Sequence, residues 1–169
     1  MLTLTLDPSY GDIEALAEQL GHLLESANKH ISCAESCTGG GIAYAITSVA
    51  GSSAWFDRSW VTYANEAKVD ALDVSPETLA SVGAVSKETA SEMLAGVIKG
   101  SGSEVAISVT GIAGPGGGSE DKPVGLVWFG FSVDKKEWLV AQQFSGDRGQ
   151  VRRQAICFAL AFLIERLVD

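Results

Sequence analysis

Hydrophobic positions follow two different periods along the chain. Residues 11–29 carry apolar side chains at the i, i+3, i+4 spacing of an amphipathic helix. Short apolar runs at 31–35, 60–64 and 104–112 instead predict strands of a sheet. Two further apolar runs flank residues 134–135, and this arrangement predicts a β-hairpin with a two-residue turn.

Capping signals predict where the other helices begin and end. SPETL at 75–79 is typical of a helix start, because proline fits the first helical position. The stretch 86–100 begins with serine and ends with glycine, which are favoured at opposite ends of a helix. Asn65 is predicted to be the N-cap of a helix over NEAKVDAL. Helices are also predicted over 42–49 and from Asp147 onward.

This order of elements predicts one α/β domain over residues 1–169, with helices on both faces of a mixed sheet. Two strands that end in glycine-rich turns fit such a three-layer α/β/α arrangement. The hairpin adds antiparallel pairing to it, because only antiparallel strands can be joined by so short a turn. Residues 1–10 are expected to form either an edge strand or a loose tail.

Charge and composition exclude several classes of function. The formal net charge of −9 opposes contact with the phosphate backbone, so no nucleic-acid partner is expected. The longest apolar run, 155–164, is about half of the roughly 20 residues that a membrane-spanning helix needs, so no membrane is expected. Three cysteines without a CxxC pair and two histidines without an HExxH pattern indicate neither disulfides nor zinc. No signal peptide is visible, so the cytoplasm is the expected compartment.

The stretch ISCAESCTGGG, at residues 31–41, joins a predicted strand to a predicted helix. Ser36 at this junction is either a helix N-cap or a nucleophile whose oxyanion is held by the following N–H groups. The glycines at 39–41 favour the nucleophile, because a helix gains nothing from them unless something approaches its backbone. Cys37 is a rival nucleophile, but it lacks an activating histidine and is expected to be a packing residue.

A serine nucleophile without a histidine requires another base, and Lys68 is the candidate. A lysine acts as a base only if its pKa falls, which burial or a nearby cation would cause. Tyr63 could relay a proton between the serine and the lysine. The competing interpretation makes Lys68 a solvated helix residue and Tyr63 a sheet aromatic, and residue statistics favour it because lysines are rarely buried.

Two further stretches are candidates for ligand binding. TGIAGPGGG, at 110–118, matches neither the Walker A motif nor the dinucleotide fingerprint. Its unhindered N–H groups either cradle an anion or belong to a flexible loop. Arg148, Arg152 and Arg153 occur at the start of the last predicted helix, in SGDRGQVRRQ. A bound phosphate and a salt-bridged surface would each explain them.

Four stretches taken together resemble the CinA C-terminal-domain family. They are AESCTGG, VTYANEAK, VTGIAGPGGG with the downstream KPVG, and SGDRGQVRRQ, and they are supported by GSSAWFDR and GAVSKETA. The resemblance covers residues 11–168. Members of this family are nicotinamide-nucleotide amidases. They hydrolyse the carboxamide of nicotinamide mononucleotide to nicotinate mononucleotide and ammonia, in pyridine-nucleotide recycling, and many carry an additional N-terminal domain.

The resemblance implies roles for individual residues. Ser36 falls on the nucleophile of the family, Lys68 on its base and Tyr63 on the tyrosine beside that base. The resemblance also implies a homodimer that acts on nicotinamide mononucleotide without a metal or redox cofactor. Glu35 is expected either to support the nucleophile or to help cap the helix. The expected substrate contacts are Thr38, Gly39, Gly40, Asn65, Thr110, Gly111, Gly114 and Arg148.

A function of a different class stays open beside the amidase. Some relatives are thought to be inactive, and Gly41 stands where the family usually has a bulkier apolar residue. The alternative is a non-catalytic nucleotide-binding or interaction module linked to competence or DNA damage. The acidic charge argues against direct DNA contact, so this role would require a protein partner. Ligand binding without ammonia release would favour the module.

Overall fold

A five-stranded mixed sheet is the framework of the structure, a computed structural model that describes residues 7–168. The strands are β1 Ile31–Glu35, β2 Phe56–Val61, β3 Val105–Gly111, β4 Leu126–Val133 and β5 Lys136–Gln143. Their order in the sheet is β2-β1-β3-β4-β5. β1 is parallel to both β2 and β3, whereas β4 is antiparallel to both β3 and β5. The predicted mixed sheet is therefore confirmed.

Helices cover both faces of this sheet. The helices within the described residues are α1 Tyr10–Ser26, α2 Gly41–Thr47, α3 Asn65–Leu72, α4 Pro76–Ser81, α5 Lys87–Ser101 and α6 Arg148–Val168. One face carries α1, α2 and α6, which share the larger hydrophobic core with the sheet. The other face carries α5, with α3 and α4 packed against it. This is the predicted three-layer α/β/α arrangement.

An aromatic cluster fixes α6 on its face of the sheet. Phe129 and Phe131 point from β4 to Phe158 and Phe162 of α6. The ring centroids lie 4.9 Å apart for Phe129 and Phe158 and 4.2 Å apart for Phe131 and Phe162. Burial of each such ring stabilises the fold by roughly 1.5–3 kcal/mol. The cluster thereby sets where the N-terminal turn of α6, which begins at Arg148, meets the sheet.

Two predicted element boundaries are wrong at the edge of the sheet. β2 spans Phe56–Val61 rather than 60–64, and Asp57 is exposed on it. Because β2 is an edge strand, it tolerates polar residues that the hydrophobic pattern excluded. Ala64, not Asn65, occupies the N-cap position of α3, and no side chain caps this helix.

The N-terminal prediction is tested only in part. Residues 1–6 lie outside the described part of the chain. Ser9 is the N-cap of α1, in a capping box in which Ser9 and Asp12 each accept a hydrogen bond from the backbone N–H of the other. Ser9 and Tyr10 are therefore neither strand nor tail.

The predicted hairpin is confirmed, and positive φ angles of 50° and 70° at its two turn residues, 134 and 135, are typical of such turns.

The three cysteines of the chain are buried inside the protein and form no disulfide. Cys33, Cys37 and Cys157 are buried and free. Burial raises the pKa of Cys37 to about 12 and that of Cys157 to about 11, so both are thiols at neutral pH.

No helix within residues 7–168 is long and apolar enough to cross a bilayer. The same residues contain no group of three or more His, Cys, Asp or Glu side chains placed to hold a metal ion.

We predict opposite effects on stability for one substitution made in two helices. A Cβ on Gly96 would collide with the backbone of Leu72, where α5 crosses the end of α3. Gly96→Ala is expected to lower the free energy of unfolding by about 1–3 kcal/mol through overpacking. On Gly11 a Cβ would lie 3.6 Å from Ser9 Oγ, an ordinary contact. Gly11→Ala is therefore expected to stabilise the protein by about 0.5 kcal/mol, because alanine favours helix.

Urea denaturation followed by circular dichroism measures both variants. Equal effects of the two substitutions would show that α5 and α3 do not pack as closely as the structure has them.

Candidate active site

Ser36 directly follows the last residue of β1 and is still hydrogen-bonded to the sheet. Its backbone N–H donates to the carbonyl oxygen of Val109 in β3, at 3.0 Å. Its side chain is buried, with 8% of the residue exposed. The helix begins only at Gly41, and Gly40 occupies its N-cap position. The interpretation of Ser36 as a helix cap is therefore wrong.

Glu35 performs the capping instead. Its fully buried carboxylate accepts hydrogen bonds from the backbone N–H groups of Gly40, Ile42 and Ala43, at 3.1, 3.0 and 2.8 Å. The hydroxyl of Thr38 donates to the same carboxylate at 2.6 Å. Hydrogen bonds to a charged group typically contribute about 1.5–3 kcal/mol each, so this carboxylate dominates the local conformation. The hydroxyl proton of Thr38 is committed to Glu35.

The three glycines of this turn have conformational and packing causes. Gly39 and Gly40 have φ angles of 60° and 92°, a region that costs other residues energy. A Cβ on Gly41 would lie 2.6 Å from Cδ1 of Ile156 in α6. The glycines therefore let the chain turn sharply enough to bring the N–H groups of α2 to Glu35. Their presence does not by itself indicate a bound ligand, contrary to the sequence interpretation.

Lys68 reaches Ser36 directly. Only 1% of the residue is exposed, so the interpretation as a solvated lysine is wrong. Its Nζ lies 3.1 Å from Ser36 Oγ, across the gap between α3 and the end of β1. The other contacts of Nζ are the carbonyl oxygens of Thr62 and Tyr63, at 2.7 and 3.4 Å. Both carbonyls belong to the segment between β2 and α3.

This environment favours the neutral amine. Burial lowers the pKa of Lys68 below its usual value of 10.5, because desolvation penalises the ammonium form. A neutral amine has two N–H donors and one lone pair. Two donors match the two carbonyl oxygens, which leaves the lone pair available to the Ser36 hydroxyl. Lys68 can therefore accept the proton of Ser36.

Tyr63 and Arg148 form a rim beside this pair. The Tyr63 hydroxyl accepts a hydrogen bond from Nη2 of Arg148 at 2.6 Å, and Nη1 of Arg148 donates to the carbonyl oxygen of Gly114 at 2.9 Å. The Tyr63 hydroxyl is thus bonded to Arg148 and not placed between Lys68 and Ser36. A proton relay through Tyr63 is not part of this arrangement.

A cavity of about 270 Å³ opens over Ser36 and Lys68. Five of the predicted substrate contacts line it, namely Asn65, Thr110, Gly111, Gly114 and Arg148. The sequence interpretation missed Ala84 and Val85 as lining residues, and it assigned Cys37 to packing alone. The Thr110 hydroxyl donates to the carbonyl oxygen of Ala84 at 2.8 Å, which joins the loop before α5 to this wall. The available signal for this loop is GAVSKETA, which supports the family resemblance but does not by itself indicate contact with the cavity.

Three predicted contacts lie elsewhere. Thr38 is fully buried behind the turn, and Gly39 and Gly40 line a separate groove of about 1080 Å³ between α1, α2 and α6. The turn after β1 therefore presents Ser36 and Cys37 to the small cavity and its glycines to the large groove. The prediction that Thr38, Gly39 and Gly40 line the cavity with the serine is not supported.

The glycine-rich loop after β3 supplies backbone groups to the cavity. Ile112 and Gly125 anchor its ends, since the N–H of Gly125 donates to the carbonyl oxygen of Ile112 at 2.7 Å. Among the hydrogen bonds of residues 7–168, the N–H groups of Gly114, Gly116 and Gly117 have no protein acceptor. These three glycines line the cavity. They are therefore available to an anionic or polar ligand.

The three arginines of α6 point to different places. Arg148 joins Tyr63 and the glycine loop at the cavity rim. Arg152 donates from Nη2 to the carbonyl oxygen of Thr38 at 2.9 Å. Arg153 donates to the carbonyl oxygen of Pro8 and to the carboxylate of Asp7, at 3.1 and 2.6 Å. The three arginines therefore do not converge on one site.

Known proteins match this chain over most of its length. The family model described as CinA C-terminal domain matches residues 13–167. The nicotinamide-nucleotide amidohydrolase PncC of Enterobacter agglomerans is 52% identical over 92% of this chain and 96% of its own length. The protein of the same name from Escherichia coli K12 is 48% identical over 94% of this chain and 96% of its own length. The CinA-like protein of Endomicrobium trichonymphae is 50% identical, but the match covers 37% of its length.

Solved structures share the fold of this chain. The competence/damage inducible protein CihA from Agrobacterium tumefaciens superposes with a TM-score of 0.90 and 43% identity, over 98% of this chain and 100% of that one. A CinA superfamily protein from Klebsiella pneumoniae superposes with a TM-score of 0.89 and 36% identity, over 92% and 98%. On the family model, the sequence identities and the shared fold together, this chain belongs to the CinA C-terminal-domain family.

Proposed function

We propose that this chain hydrolyses the carboxamide of nicotinamide mononucleotide to nicotinate mononucleotide and ammonia, with Ser36 as nucleophile and Lys68 as base. The observation that carries the mechanism is the contact of 3.1 Å between Lys68 Nζ and Ser36 Oγ in a buried site. The substrate class is supported by the relatives named nicotinamide-nucleotide amidohydrolase, which match along almost their whole length.

Acylation begins when Ser36 Oγ attacks the carboxamide carbon and its proton passes to Nζ of Lys68. The oxyanion forms beside the turn after β1. The backbone N–H groups after Ser36, beginning with that of the cavity-lining Cys37, are the candidate oxyanion donors. Loss of one such donor typically lowers the rate about 10²–10³-fold. The proton on Lys68 then goes to the leaving nitrogen, the C–N bond breaks, and ammonia departs from an acyl-serine.

Deacylation reverses the roles. Water attacks the ester carbon, Lys68 accepts the proton of that water, and the same proton returns to Ser36 Oγ as the carboxylate product leaves. The lysine supplies the base and the amide supplies the electrophile, so no step requires a metal ion or a redox cofactor. A chelator is accordingly expected to leave the rate unchanged.

The cavity orients the substrate from two sides. Its volume of about 270 Å³ lies below the range of about 300–1,000 Å³ that is usual for ligand pockets. It therefore accommodates the pyridine ring and carboxamide, while the ribose phosphate extends toward the rim. Arg148, Gly116 and Gly117 also line the cavity, and the guanidinium and the free N–H groups of the two glycines can bind the 5′-phosphate.

The proposal includes a homodimer in the cytoplasm, acting in the recycling of pyridine nucleotides. Three free cysteines are compatible with a reducing compartment. Tyr10 and Tyr44 are 73% and 71% exposed, and both line the large groove between α1, α2 and α6. Exposed aromatic side chains that share one groove are typical of a surface covered by another chain.

Ser36→Ala is expected to lower ammonia release from nicotinamide mononucleotide by about 10⁴-fold or more, because the nucleophile is lost. Cys37→Ala is the matched control beside it. A thiol with a pKa of about 12 is not a nucleophile at neutral pH, so this variant should retain most of the wild-type rate. The measurement is enzymatic detection of ammonia from all three proteins after confirmation of folding. Wild-type turnover by Ser36→Ala, or a folded wild type that binds the nucleotide but releases no ammonia, would contradict the proposal.

If Lys68 is the base, kcat/KM depends on pH in a defined direction. The base must be neutral, and its pKa is lowered, so kcat/KM should rise with pH and level off above an inflection that lies below 10.5. Lys68→Arg should lose about 10²–10⁴-fold in rate, because a guanidinium stays protonated and cannot accept the proton of Ser36. A rate that falls with rising pH, or an active arginine variant, would exclude lysine as the base.

The homodimer is tested by sedimentation velocity. Tyr44→Asp places a charge in the large groove and is expected to shift the protein from dimer to monomer. Val82→Asp is the control, because Val82 is exposed but lies before α5, away from that groove. A wild type that sediments as a monomer at micromolar concentration would refute this part of the proposal.

A further inference from the structure

Arg152 ties the turn that carries the nucleophile to α6. Its Nη2 donates to the carbonyl oxygen of Thr38 at 2.9 Å, and the N–H of Gly41 donates to the same oxygen at 3.1 Å. One carbonyl thus receives a hydrogen bond from inside the turn and another from a helix on the same face of the sheet. The aromatic cluster fixes α6 against β4. The hydrogen bond from Arg152 to Thr38 therefore also fixes the position of the turn relative to the sheet.

The fit between Arg152 and the turn is close. A Cβ on Gly39 would lie 3.3 Å from Nη2 of Arg152, so any side chain there would press on the guanidinium. Nε of Arg152 is buried and has no hydrogen-bond partner among the described residues. An unsatisfied buried donor typically costs about 1–3 kcal/mol. Arg152 is therefore held in this place despite an energetic cost.

The charge of Arg152 reaches the cavity, although the side chain does not. Arg152 lines the large groove and is absent from the lining of the small cavity. Its positive charge nevertheless acts to lower the pKa of the Cys37 thiol, which burial raises. Cys37 is the residue next to the nucleophile, so the same charge also favours negative charge that develops there.

We propose that Arg152 is a positioning residue for the amide hydrolysis. It holds the carbonyl of Thr38, and through it the backbone that carries Ser36 and the N–H groups that receive the oxyanion. This inference rests on the proposed function, since it assigns a role to Arg152 in that same reaction. Arg152 touches neither substrate nor reacting atoms and acts through Thr38.

Loss of Arg152 should therefore affect the chemical step more than substrate binding. Arg148 and the glycine loop, which line the small cavity on its other side, bond each other and not Arg152. A displaced nucleophile typically costs on the order of 10²-fold in rate. We expect Arg152→Met to lower kcat about 10–100-fold with little change in KM. Arg152→Lys should recover part of kcat, because an ammonium can still donate one hydrogen bond to the Thr38 carbonyl.

The experiment compares these variants with Arg153→Met. Arg153 is the adjacent arginine of the same helix, and it bonds Pro8 and Asp7 away from the turn. Two quantities are measured: kcat and KM for nicotinamide mononucleotide, and the rate at which phenylmethylsulfonyl fluoride modifies Ser36, followed by intact mass. The modification rate reports the nucleophile without requiring amide turnover. We expect both kcat and the modification rate to fall for Arg152→Met and to stay at the wild-type level for Arg153→Met.

The outcomes separate this inference from the proposed function. Slower modification of Ser36 in Arg152→Met, with no ammonia release even from the wild type, would leave the positioning role standing and remove the amidase. Equal kcat and equal modification rates in Arg152→Met and Arg153→Met would overturn the positioning role. So would a wild-type Ser36 that the sulfonyl fluoride does not modify. If Arg152→Met fails to fold, Arg152→Lys decides, and unchanged kcat and modification in that variant would overturn the inference.

Discussion

A lysine amine buried against a serine hydroxyl is the interaction on which the rest of this structure depends. Burying Lys68 is costly in its charged form, and the site reduces that cost by favouring the neutral amine and by offering two carbonyl acceptors. Those carbonyls are available because β2 ends at Val61 and the chain turns through Thr62 and Tyr63 before α3. The segment after the edge strand thereby supplies the hydrogen-bond acceptors that surround Lys68 Nζ.

Ser36, the proposed nucleophile, is supported by other residues on the side opposite Lys68. The carboxylate of Glu35 accepts hydrogen bonds from N–H groups at the start of α2 and from the hydroxyl of Thr38, and these bonds fix the conformation of the turn. Arg152 fixes the same turn from α6 through the carbonyl of Thr38. The carboxylate and the guanidinium do not contact each other in an ion pair, and each instead bonds the backbone. A buried carboxylate and a partly buried guanidinium thus define the geometry of one short segment, and a site that must hold reacting atoms precisely placed benefits from such rigidity.

Much of this arrangement could be predicted from the sequence, and the limits have physical causes. Strands buried on both faces and helices with caps leave strong local patterns, so β1, β3, the hairpin and α5 were predicted within a few residues. β2 was misplaced, because an edge strand carries polar residues. The burial of Lys68 could not be read locally, since it depends on how α3 docks against the end of β1.

The glycines show the same limit at the candidate site. Gly39 and Gly40 were assigned to the substrate because glycine permits close approach, but positive φ angles explain them instead. The contribution of Ala84 was missed because it lies 26 residues before Thr110, whose hydroxyl holds its carbonyl. The residues alone make Lys68 a candidate base for Ser36, but residue statistics favour an exposed lysine, and only the resemblance to a family favours the pairing.

The most direct test of the account is the titration of Lys68 itself. Proteins labelled with ¹³C at the lysine Cε carbon, with Lys68→Met to assign the signal, give the pKa of this amine by NMR without any substrate. The account predicts an inflection below 10.5 for Lys68, since burial penalises its charge. An inflection at or above 10.5 would mean that Lys68 remains charged beside Ser36 at working pH, and the serine would then have no base.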